Sequence, residues 1–436
     1  MPQGLSVTAE GATRYKLRSA TPWGAEWRLQ IESLPQGDGC VHKRPRRAWN
    51  TFLALTLFAL ILAGCQRQGP PADPAAPPAP ETFTLAAVGD ILLDRGVGRK
   101  IGQHGTDYPF QHVADVLSAA DVTFGNLECP LSENGAKAAK PYSFKAKPAT
   151  AQCLVRAGFD VLSLANNHTM DCGPRGLLET FDHLGLAGIR WCGAGRTRAE
   201  AEAATLLTVK GISVAFVGFS DFPTGGSAPS GDTPAVAFTS EDTVRERVAA
   251  ARRLADVVVA SFHWGVEYAS RPTQRQTTLA RVAAAAGADL VLGHHPHVLQ
   301  GFEVTGDDSS PAGRTSLIAY SLGNFVFDQR GGQKVQGAIL VCNVSKAGIV
   351  SAEAMPVRIE GFRPRLASPA EASEILARLA ALSAERNTTM KEGHVLLPHG
   401  SDSSREHIGR TGQTGIGRFS HRHADSSRVG ADRRSK

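Results

Sequence analysis

Residues 290–298 have the sequence LVLGHHPHV, in which a short apolar run leads directly into three histidines within four positions. Such a run is typical of a strand that is buried on both faces of a parallel sheet. Three imidazoles so close together have little structural purpose, and the proline between two of them stiffens the segment. The stretch therefore predicts a layered α/β domain with a polar or metal-binding loop at the end of one strand.

Four other apolar runs along the chain also end in polar residues. Helical patterns that open on proline or end on glycine separate these runs, as expected of alternating strands and helices. Ligand sites of open α/β sheets lie beyond the carboxyl ends of the strands, so we expect all five clusters to converge. Runs 83–88, 122–124, 161–165 and 257–262 are followed by Gly89-Asp90, Gly125-Asn126-Leu127-Glu128, Asn166-Asn167-His168 with Asp171, and His263-Trp264-Gly265.

The side chains of these clusters share one coordination chemistry. Carboxylate, amide oxygen and imidazole are ligands for divalent Zn, Mn and Fe, and the clusters contain no thiolate. One carboxylate shared between two ions would build a site that activates water and holds the oxygens of an attacked phosphoester. Taken singly, Gly89-Asp90 is also compatible with a helix cap and Asn166-Asn167 with a turn. All five clusters together predict a metal or polar active site.

The remaining patterns add strands and helices around this centre. Residues 206–209 and 214–219 predict a hairpin. Runs 316–320, 337–344 and 350–358 have no helical pattern between them, and we expect them to be antiparallel strands. Helices are predicted at 109–120, 148–158, 174–186, 241–255, 273–287 and, closing the domain, 370–385.

The net charge of +6 belongs to the ends of the chain. Residues 1–65 and 396–436 each hold eight basic and four acidic side chains, which leaves 31 basic and 33 acidic side chains in the body. The body therefore lacks the basic footprint of a nucleic-acid-binding protein, and we expect no nucleic-acid partner. Residues 391–436 are rich in Ser, Gly, Arg and His with few apolar side chains, which predicts a disordered basic tail.

The N-terminal region carries an export signal. Four basic residues at 43–47 precede the apolar run 51–63, which has the length of a signal-peptide core and is too short to span a bilayer. The run closes in Leu62-Ala63-Gly64-Cys65, which resembles a bacterial lipoprotein cleavage box. We therefore expect residues 41–64 to be a lipoprotein signal peptide, Cys65 to be lipidated, and 65–82 to be a Pro/Ala-rich tether. A short membrane anchor or a buried helix is the alternative.

Forty residues precede this signal, although a signal peptide belongs at the start of a chain. We interpret residues 1–40 as a misannotated extension, with translation beginning at Val41 from a non-ATG codon. Peptides recovered from this segment would contradict that interpretation. The five cysteines of the body form no C-x-x-C pair, which argues against a zinc ribbon. Cys172 and Cys192 could form a disulfide in an oxidising compartment, and buried free thiols are the alternative.

The motifs resemble those of the CapA family, the capsule or poly-γ-glutamate synthesis proteins related to calcineurin-like metallophosphoesterases. They extend in matching order and spacing over most of residues 83–330. The resemblance implies a metallo-dependent phosphatase-like fold of four layers, with two β-sheets flanked by helices, over residues 83–390. The motifs are the four clusters above, the first continuing as Ile91-Leu92, together with Gly293-His294-His295-Pro296-His297-Val298 and Ser321-Leu322-Gly323-Asn324-Phe325-Val326-Phe327-Asp328.

The resemblance also implies a role for each polar residue. Asp90 would bind a first metal ion, and Glu128 would bridge two ions. His168 would act as a general acid or orient the attacked oxygen. The second ion would be bound by Asn167, His263 and His295, with His297 returning to the first ion, and the pocket would be completed by Asn126, His294, Asn324 and Asp328.

One position departs from the phosphoesterase pattern. These enzymes begin with Asp-x-His, and both residues bind the first metal ion. The triplet here is Asp90-Ile91-Leu92, so one imidazole is missing and the first subsite should be weakened. Asp94, two residues further on, could substitute for it. We therefore expect one or two divalent ions, Mn, Zn or Fe, and leave hydrolytic activity open.

Three functions fit the sequence. The first is a surface-anchored component of poly-γ-glutamate or capsular polymer synthesis and export, attached to the membrane beside a membrane synthase. The second is a metal-dependent hydrolase of a phosphoester or a polymer amide. The third is a non-catalytic polymer-binding or assembly protein. The partner is then an anionic polymer or a small phosphorylated substrate, and the basic stretch Lys137, Lys140, Lys145 and Lys147 is either a contact for an anionic polymer or a solvated loop face.

Overall fold

The structure, a computed structural model, describes residues 81–222, 233–306 and 314–398, together with the backbone of two strands near the N-terminus. The chain divides into two units, 1–77 and 78–436. In the first unit, β1 (Arg14–Ser19) and β2 (Trp27–Glu32) pair antiparallel. The predicted signal peptide 41–64, Cys65 and residues 65–80 of the tether lie outside the described residues.

Eighteen strands are described in the second unit, and they form two large sheets and one two-stranded ladder. They are β3 (Thr82–Ile91), β4 (Val122–Leu127), β5 (Val161–Ser163), β6 (Arg190–Cys192), β7 (Ala194–Gly195), β8 (Thr205–Val209), β9 (Ile212–Ser220), β10 (Ala235–Val236), β11 (Val257–His263), β12 (Leu290–His294), β13 (Phe302–Thr305), β14 (Ser316–Ala319), β15 (Asn324–Val326), β16 (Gln336–Ser345), β17 (Gly348–Glu360), β18 (Arg363–Leu366), β19 (Met390–Lys391) and β20 (His394–Val395).

The first sheet has the order β19-β20-β17-β16-β3-β4-β5-β6, with β15 beside β3 and β18 beside β17. Its strands β3 to β6 are parallel, as the short apolar runs predicted for β3, β4 and β5, whereas β6 was not predicted. The second sheet has the order β13-β14-β12-β11-β9-β8. The predicted hairpin is present as β8 and β9. The expectation for 316–320 was wrong in part, because β14 runs parallel to β12 and antiparallel only to β13, a strand that the sequence analysis missed.

Six of the eight described helices lie where the sequence placed them, and those at Arg95–His104 and Arg198–Glu202 were not predicted. Two predicted helices are shorter, because 3-10 turns occupy Tyr108–Phe110 and Pro148–Thr150 at their starts. Thr273 and Ser368 begin two of the helices, and each side chain accepts from the backbone N–H three residues on, as N-caps do. The helices are α1 (Arg95–His104), α2 (Ala114–Ser118), α3 (Ala151–Arg156), α4 (Gly173–Leu186), α5 (Arg198–Glu202), α6 (Glu241–Arg252), α7 (Gln274–Ala285) and α8 (Pro369–Ala384).

Three apolar cores separate four layers. One core lies between α1–α4 and the first sheet, and another lies between α6–α7 and the second sheet. The third core joins the two sheets, and in it Phe124 of β4 stacks on Phe216 of β9 with ring centroids 5.7 Å apart. Fully burying a phenylalanine contributes about 1.5–3 kcal/mol, so this contact is a substantial part of the attraction between the sheets. The predicted four-layer sandwich, with two sheets flanked by helices, is confirmed.

Two details differ from the sequence analysis. Residues 394–395 pair with β17, so the sheet extends past residue 390, and of the predicted tail only 399–436 lies outside the described residues. Cys172 and Cys192 are not bonded to each other: both are free, as are Cys129, Cys153 and Cys342, and all five are buried. No helix of the described segments is long and apolar enough to cross a membrane.

Candidate metal centre

The polar clusters of both sheets meet at one place. Asp90 and Glu128 come from the ends of β3 and β4 in the first sheet, and His263 ends β11 in the second. Parallel strands bring their carboxyl ends to one edge, and here the edges of two stacked sheets coincide. The loops that follow β5 and β12 add Asn167, His168, His295 and His297 to the same cluster.

Two buried carboxylates form the floor of this cluster. Asn126 Nδ2 lies between them, 2.9 Å from Asp90 Oδ1 and 3.4 Å from Glu128 Oε2. Burial, together with the negative charges of Asp90 and Glu267, raises the pKa of Glu128 well above its ordinary value. Burial alone would also raise the pKa of Asp90, but hydrogen bonding and charge attraction from His297 lower it. In the segments that the structure describes, neither carboxyl pairs with a Lys or Arg, and their charged neighbours are imidazoles.

The environment of Glu128 Oε1 fits a divalent ion. This oxygen is buried and has no hydrogen-bond partner among the described residues. An unsatisfied buried polar atom costs about 1–3 kcal/mol or more. Three imidazole nitrogens lie just beyond hydrogen-bonding range, with Nε2 of His297 at 3.7 Å and Nε2 of His168 and His263 at 3.9 Å. Such separations suit donors that bind a common ion at about 2.0–2.2 Å each.

A second group of donors lies beside the first. His263 Nε2 is 3.0 Å from Asn167 Oδ1 and 3.1 Å from His295 Nδ1. Two sets of three donor atoms are each compact, because the atoms within a set all lie within 4.8 Å of one another. One set comes from Asp90, Glu128 and His263, and the other from Glu128, His295 and His297. Glu128 belongs to both sets, as a carboxylate shared between two ions would.

The imidazoles are held in the form that binds metals. Burial, followed by the proximity of His297, lowers the pKa of His295 to about 3. Burial and the neighbouring imidazoles, His295 first, lower the pKa of His263 well below its ordinary value. A neutral imidazole keeps a lone pair on one ring nitrogen, which a metal ion requires. At neutral pH both rings can therefore act as ligands without first losing a proton.

His168 is oriented by a carboxylate of its own. Its Nδ1 is 2.8 Å from Asp171 Oδ2, and its ring stacks on Phe144 with centroids 4.0 Å apart. The other oxygen of Asp171 pairs with Lys140 at 2.5 Å. This arrangement fixes the proton on Nδ1 and leaves Nε2 facing Glu128.

The loop after β12 holds its histidines in an unusual backbone conformation. His295 and His297 have φ values of +94° and +57°, in the left-handed region that favours glycine. Conformations of this kind cost about 1–3 kcal/mol each and persist where function needs them. Here they allow His295 to donate its backbone N–H to Asp90 Oδ2 at 3.3 Å while His297 Nδ1 approaches the same oxygen at 3.1 Å.

A segment that we call the strap (residues 320–323) connects the two sheets beneath the cluster. Gly323 O accepts from the N–H of Asp90 at 3.0 Å, and the N–H of Leu322 donates to Gly293 O at 3.3 Å. The approach is close enough to exclude side chains. A Cβ on Gly89 would lie 1.9 Å from Gly323 O, and one on Gly293 would lie 1.9 Å from Tyr320 O. The strap therefore sets the spacing between the strands that carry Asp90 and His295.

Residues 84–329 match the family described as "Bacterial capsule synthesis protein PGA_cap". This match covers more than half of the chain. The chain belongs to this family. Its curated relatives include the capsule biosynthesis protein CapA of Bacillus anthracis, 34% identical over 293 residues, and the PGA biosynthesis protein CapA of Bacillus subtilis (strain 168), 33% identical over 287 residues. Each alignment covers 65% of this chain, with 69% and 73% of the respective relative. The CapA resemblance seen in the motifs is confirmed.

A solved structure overlaps part of this CapA-like chain. It is the 5'-nucleotidase precursor from Thermus thermophilus, with 16% sequence identity and a TM-score of 0.39, covering 69% of this chain and 59% of that one. A superposition this partial does not define the fold, which rests on the sheet order and the three cores.

The predicted pocket residues of the CapA-like chain separate into two groups. Asn126 lies between the carboxylates, and Asn324 Oδ1 is 3.0 Å from His297 Nδ1. His294 is buried with its Nδ1 3.6 Å from Asp90 Oδ1. Asp328 instead lies outside the cluster, since its carboxylate pairs with Arg95 at 2.8 Å and accepts the N–H of Gly96 at the start of α1. Its contribution is to anchor that helix.

The suggested substitute for the missing imidazole is also elsewhere. Asp94 accepts the N–H of Lys145 at 2.7 Å and pairs with Lys137 at 3.1 Å. Leu92 is fully buried in the core under α1–α4. Neither residue contributes to the cluster, so Asp94 does not replace the imidazole that is missing at position 92.

Two further side chains lie near the cluster: Asn166, which the sequence analysis placed in a motif without giving it a role, and Phe222, which it missed. Asn166 donates to Asn126 Oδ1 at 3.1 Å and accepts the N–H of His168, so it fixes two of the predicted residues. Phe222 lies against His295 with ring centroids 4.1 Å apart. It follows Ser220 at the carboxyl end of β9, so applying the strand-end rule to the hairpin would have found it.

Proposed function

We propose that this CapA-like protein acts in the synthesis or export of poly-γ-glutamate or a similar capsular polymer, and that its centre is a metal-dependent hydrolytic site for a phosphoester or a polymer amide. The observation that carries the hydrolytic part is the unpartnered Glu128 Oε1 among the imidazole nitrogens of His168, His263 and His297. The polymer part rests on the family and on its relatives. One of these, 27% identical, is the probable polyglutamine synthesis accessory protein Rv0574c of Mycobacterium tuberculosis (strain ATCC 25618 / H37Rv).

In this proposal the residues of the cluster divide into two subsites. Asp90, Glu128 and His297 hold one divalent ion, and Glu128 with Asn167, His263 and His295 holds the other, with Mn, Zn or Fe as candidates. Such ions supply Lewis acidity at the attacked centre and lower the pKa of a water molecule. The amide of Asn126 donates to both carboxylates and keeps their oxygens apart.

His168 has the geometry of a proton donor to the leaving group. Its Nδ1 proton is held by Asp171, so Nε2 faces the cluster and can carry the second proton when the ring is charged. Burial lowers the pKa of His168, with Asp171 opposing that shift, so the ring gives up this proton readily. A leaving oxygen or amide nitrogen between Glu128 and His168 would receive it.

The non-catalytic alternative is less well supported. A surface that binds a polyanion should present free basic side chains. Three of the four lysines of the basic stretch are instead engaged within the fold: Lys137 pairs with Asp94, Lys140 with Asp171, and Lys145 Nζ donates to the carbonyls of Glu133 and Gly135. These contacts favour a role in holding the loop above His168.

The hydrolytic proposal is tested on the full-length chain, purified in detergent. After incubation with Mn²⁺, Zn²⁺ or Fe²⁺ and gel filtration, we expect bound metal by elemental analysis, and metal-dependent cleavage of p-nitrophenyl phosphate or poly-γ-glutamate. His295→Ala should lose both metal and activity, whereas His104→Ala, an exposed histidine in the last turn of α1, should retain them. A wild-type chain that binds no metal and cleaves neither substrate overturns the hydrolytic function.

The location of the protein is a separate proposal. We infer a lipid-anchored export form, with Cys65 as the first mature residue and the protein held at the membrane beside a synthase. Labelling with a fatty-acid analogue should mark the wild-type chain, and Cys65→Ser should abolish both the label and membrane retention. Retention of Cys65→Ser at the membrane to the same extent would exclude the lipid anchor.

A further inference from the structure

One imidazole of the cluster has no assigned partner. His294 is fully buried, and neither of its ring nitrogens has a hydrogen-bond partner among the residues that the structure describes. Buried imidazoles normally satisfy at least one nitrogen, so a ring with two free nitrogens requires an explanation. Either His294 is a packing residue that tolerates the cost, or it meets a ligand that the protein alone does not provide.

The surroundings of His294 place it at the first metal subsite. Its Nδ1 lies 3.6 Å from Asp90 Oδ1, the nearest acidic atom. Asp90 Oδ1 already accepts from Asn126, and the contact to His294 is too long for a hydrogen bond. Donor atoms at this separation are compatible with a common ion, as for the nitrogens around Glu128.

The backbone holds His294 firmly in this position. It ends β12 and pairs in register with His263 of β11. Its carbonyl accepts the N–H of Trp264 at 3.1 Å, and the preceding Gly293 has no room for a Cβ against the strap. The ring also lies near Phe124 of the core between the sheets, with centroids 6.3 Å apart. An apolar residue would fill this space without leaving two nitrogens unsatisfied.

We propose that His294 is a metal ligand of the Asp90 subsite and supplies the imidazole that Leu92 lacks. This inference rests on the proposed metal centre and assigns to it a donor from β12 in place of one from the loop after β3. The first subsite then consists of Asp90, Glu128, His297 and His294, and it keeps four donors despite the loss at position 92.

The test compares two packing variants of the full-length chain. His294→Phe keeps a ring against Phe124 but has no nitrogen, whereas Phe124→Leu disturbs the same packing and leaves both nitrogens in place. Each metal-free chain is titrated with Mn²⁺ by calorimetry, its bound metal is measured after gel filtration, and its thermal unfolding is recorded with and without Mn²⁺.

We expect His294→Phe to weaken the weakest Mn²⁺ site of the wild type by about 10–100-fold or to lose it. Its melting temperature without metal should stay at or above that of the wild type. Phe124→Leu should melt at a lower temperature and keep the wild-type stoichiometry and affinity. Wild-type Mn²⁺ binding in His294→Phe overturns the inference and leaves the proposed centre intact, whereas a wild-type chain that binds no Mn²⁺ removes both.

A second measurement covers a His294→Phe chain that does not fold. Pulsed EPR of the wild-type chain loaded with Mn²⁺, with ¹⁵N-labelled histidine, counts the imidazole nitrogens bound to the ions. The proposed assignment of His263, His295, His297 and His294 requires four. A count of three contradicts the role of His294, and a count of four that stays at four in His168→Gln supports it.

Discussion

Two buried carboxylates, one at the amino end of a strand in the second sheet and one at the carboxyl end of a strand in the first, have contrasting environments. Asp289 precedes β12 at its amino end. Its oxygens form ion pairs with Arg252 at 2.8 Å and Arg314 at 2.6 Å, and one accepts the N–H of Val258 at 2.8 Å. Glu128 lies at the carboxyl end of β4 among neutral imidazoles, with one oxygen unpartnered among the described residues. Burial raises the pKa of both carboxyls, but only at Asp289 do arginines oppose that rise. The chain pairs Asp289 with its own arginines, whereas in the proposed metal centre a bound cation would pair with Glu128.

The largest effect on metal binding should come from removing the carboxylate of Glu128, which has no arginine partner among the described residues. In Glu128→Gln we expect the affinity for Mn²⁺ to fall by more than about 100-fold, beyond what changes around a metal ligand produce. Without metal, the variant should be at least as stable as the wild type, because the raised pKa of Glu128 means that burying this carboxyl costs free energy of folding at neutral pH. Calorimetric titration and thermal unfolding with and without Mn²⁺ measure both quantities. A lower melting temperature of metal-free Glu128→Gln would show that the carboxylate is structural.

The opposite result is expected at the neutralised carboxylate. Asp289→Ala leaves Arg252 and Arg314 without their shared partner and should lower the free energy of unfolding by about 3 kcal/mol. Urea denaturation with and without Mn²⁺ should give the same loss, because this end of the sheet holds no part of the metal centre. Asp242→Ala, which breaks the exposed pair with Arg245, is the matched control and should change stability little. A loss that Mn²⁺ restores would contradict the contrast between the two ends.

A smaller effect should separate proton transfer from metal binding. Asp171→Asn removes the charge that holds the Nδ1 proton of His168, and we expect kcat to fall by about 100-fold with KM and metal content unchanged. Asp182→Asn, which alters an exposed ion pair on α4, is the control. If Asp171→Asn loses metal in proportion to activity, His168 acts within the metal centre and not as a proton donor.

The smallest effect concerns a carboxylate near the surface. Glu179 of α4 accepts from the hydroxyl of Ser132 and the N–H groups of Glu133 and Asn134. Burial alone would raise the pKa of Glu179, but these donors lower it from 4.5 to about 2. Its contribution is therefore complete above pH 4.5 and is lost as the pH falls towards 2.

Because water screens this group, we expect Glu179→Gln to cost only about 1 kcal/mol at pH 7. The difference from the wild type should narrow as the pH falls from 4.5 towards 2. Denaturant titrations at a series of pH values test this, with Glu246→Gln on the exposed face of α6 as the control. A difference that stays constant down to pH 2 would mean that the charge of Glu179 contributes nothing.

The cluster could be predicted because each strand that leads into it can be recognised from a short stretch of sequence. A buried parallel strand is a short apolar run, and the polar residue after it stands out, so Asp90, Glu128 and His263 could be identified from single segments. The four layers came from the resemblance and not from the pattern, since an apolar run does not show which of two sheets it joins. For the same reason, β13 was not predicted, and β14 was expected to be antiparallel although it runs parallel to β12.

The direction of a side chain after a strand could not be predicted. Asp94 and Asp328 both follow strands closely and have the right chemistry, yet one pairs with Lys137 and the other with Arg95. Their partners lie 43 and 233 residues away along the sequence. His294 shows the reverse case. Its proposed role depends on two ring nitrogens that have no hydrogen-bond partner among the described residues, and only the packing of the folded chain reveals this.

The strap has a consequence for the choice of metal ion. Gly89 and Gly293 are in contact with its backbone. Asp90 directly follows Gly89, and His295 lies two residues after Gly293. A methyl group at either glycine would force the two sheets apart at the cluster, while every ligand kept its identity. In the proposed metal centre, the spacing that these glycines set should therefore affect the preference between small and large cations, although neither glycine is a proposed ligand, and relatives that differ at these glycines should differ in ionic radius selectivity.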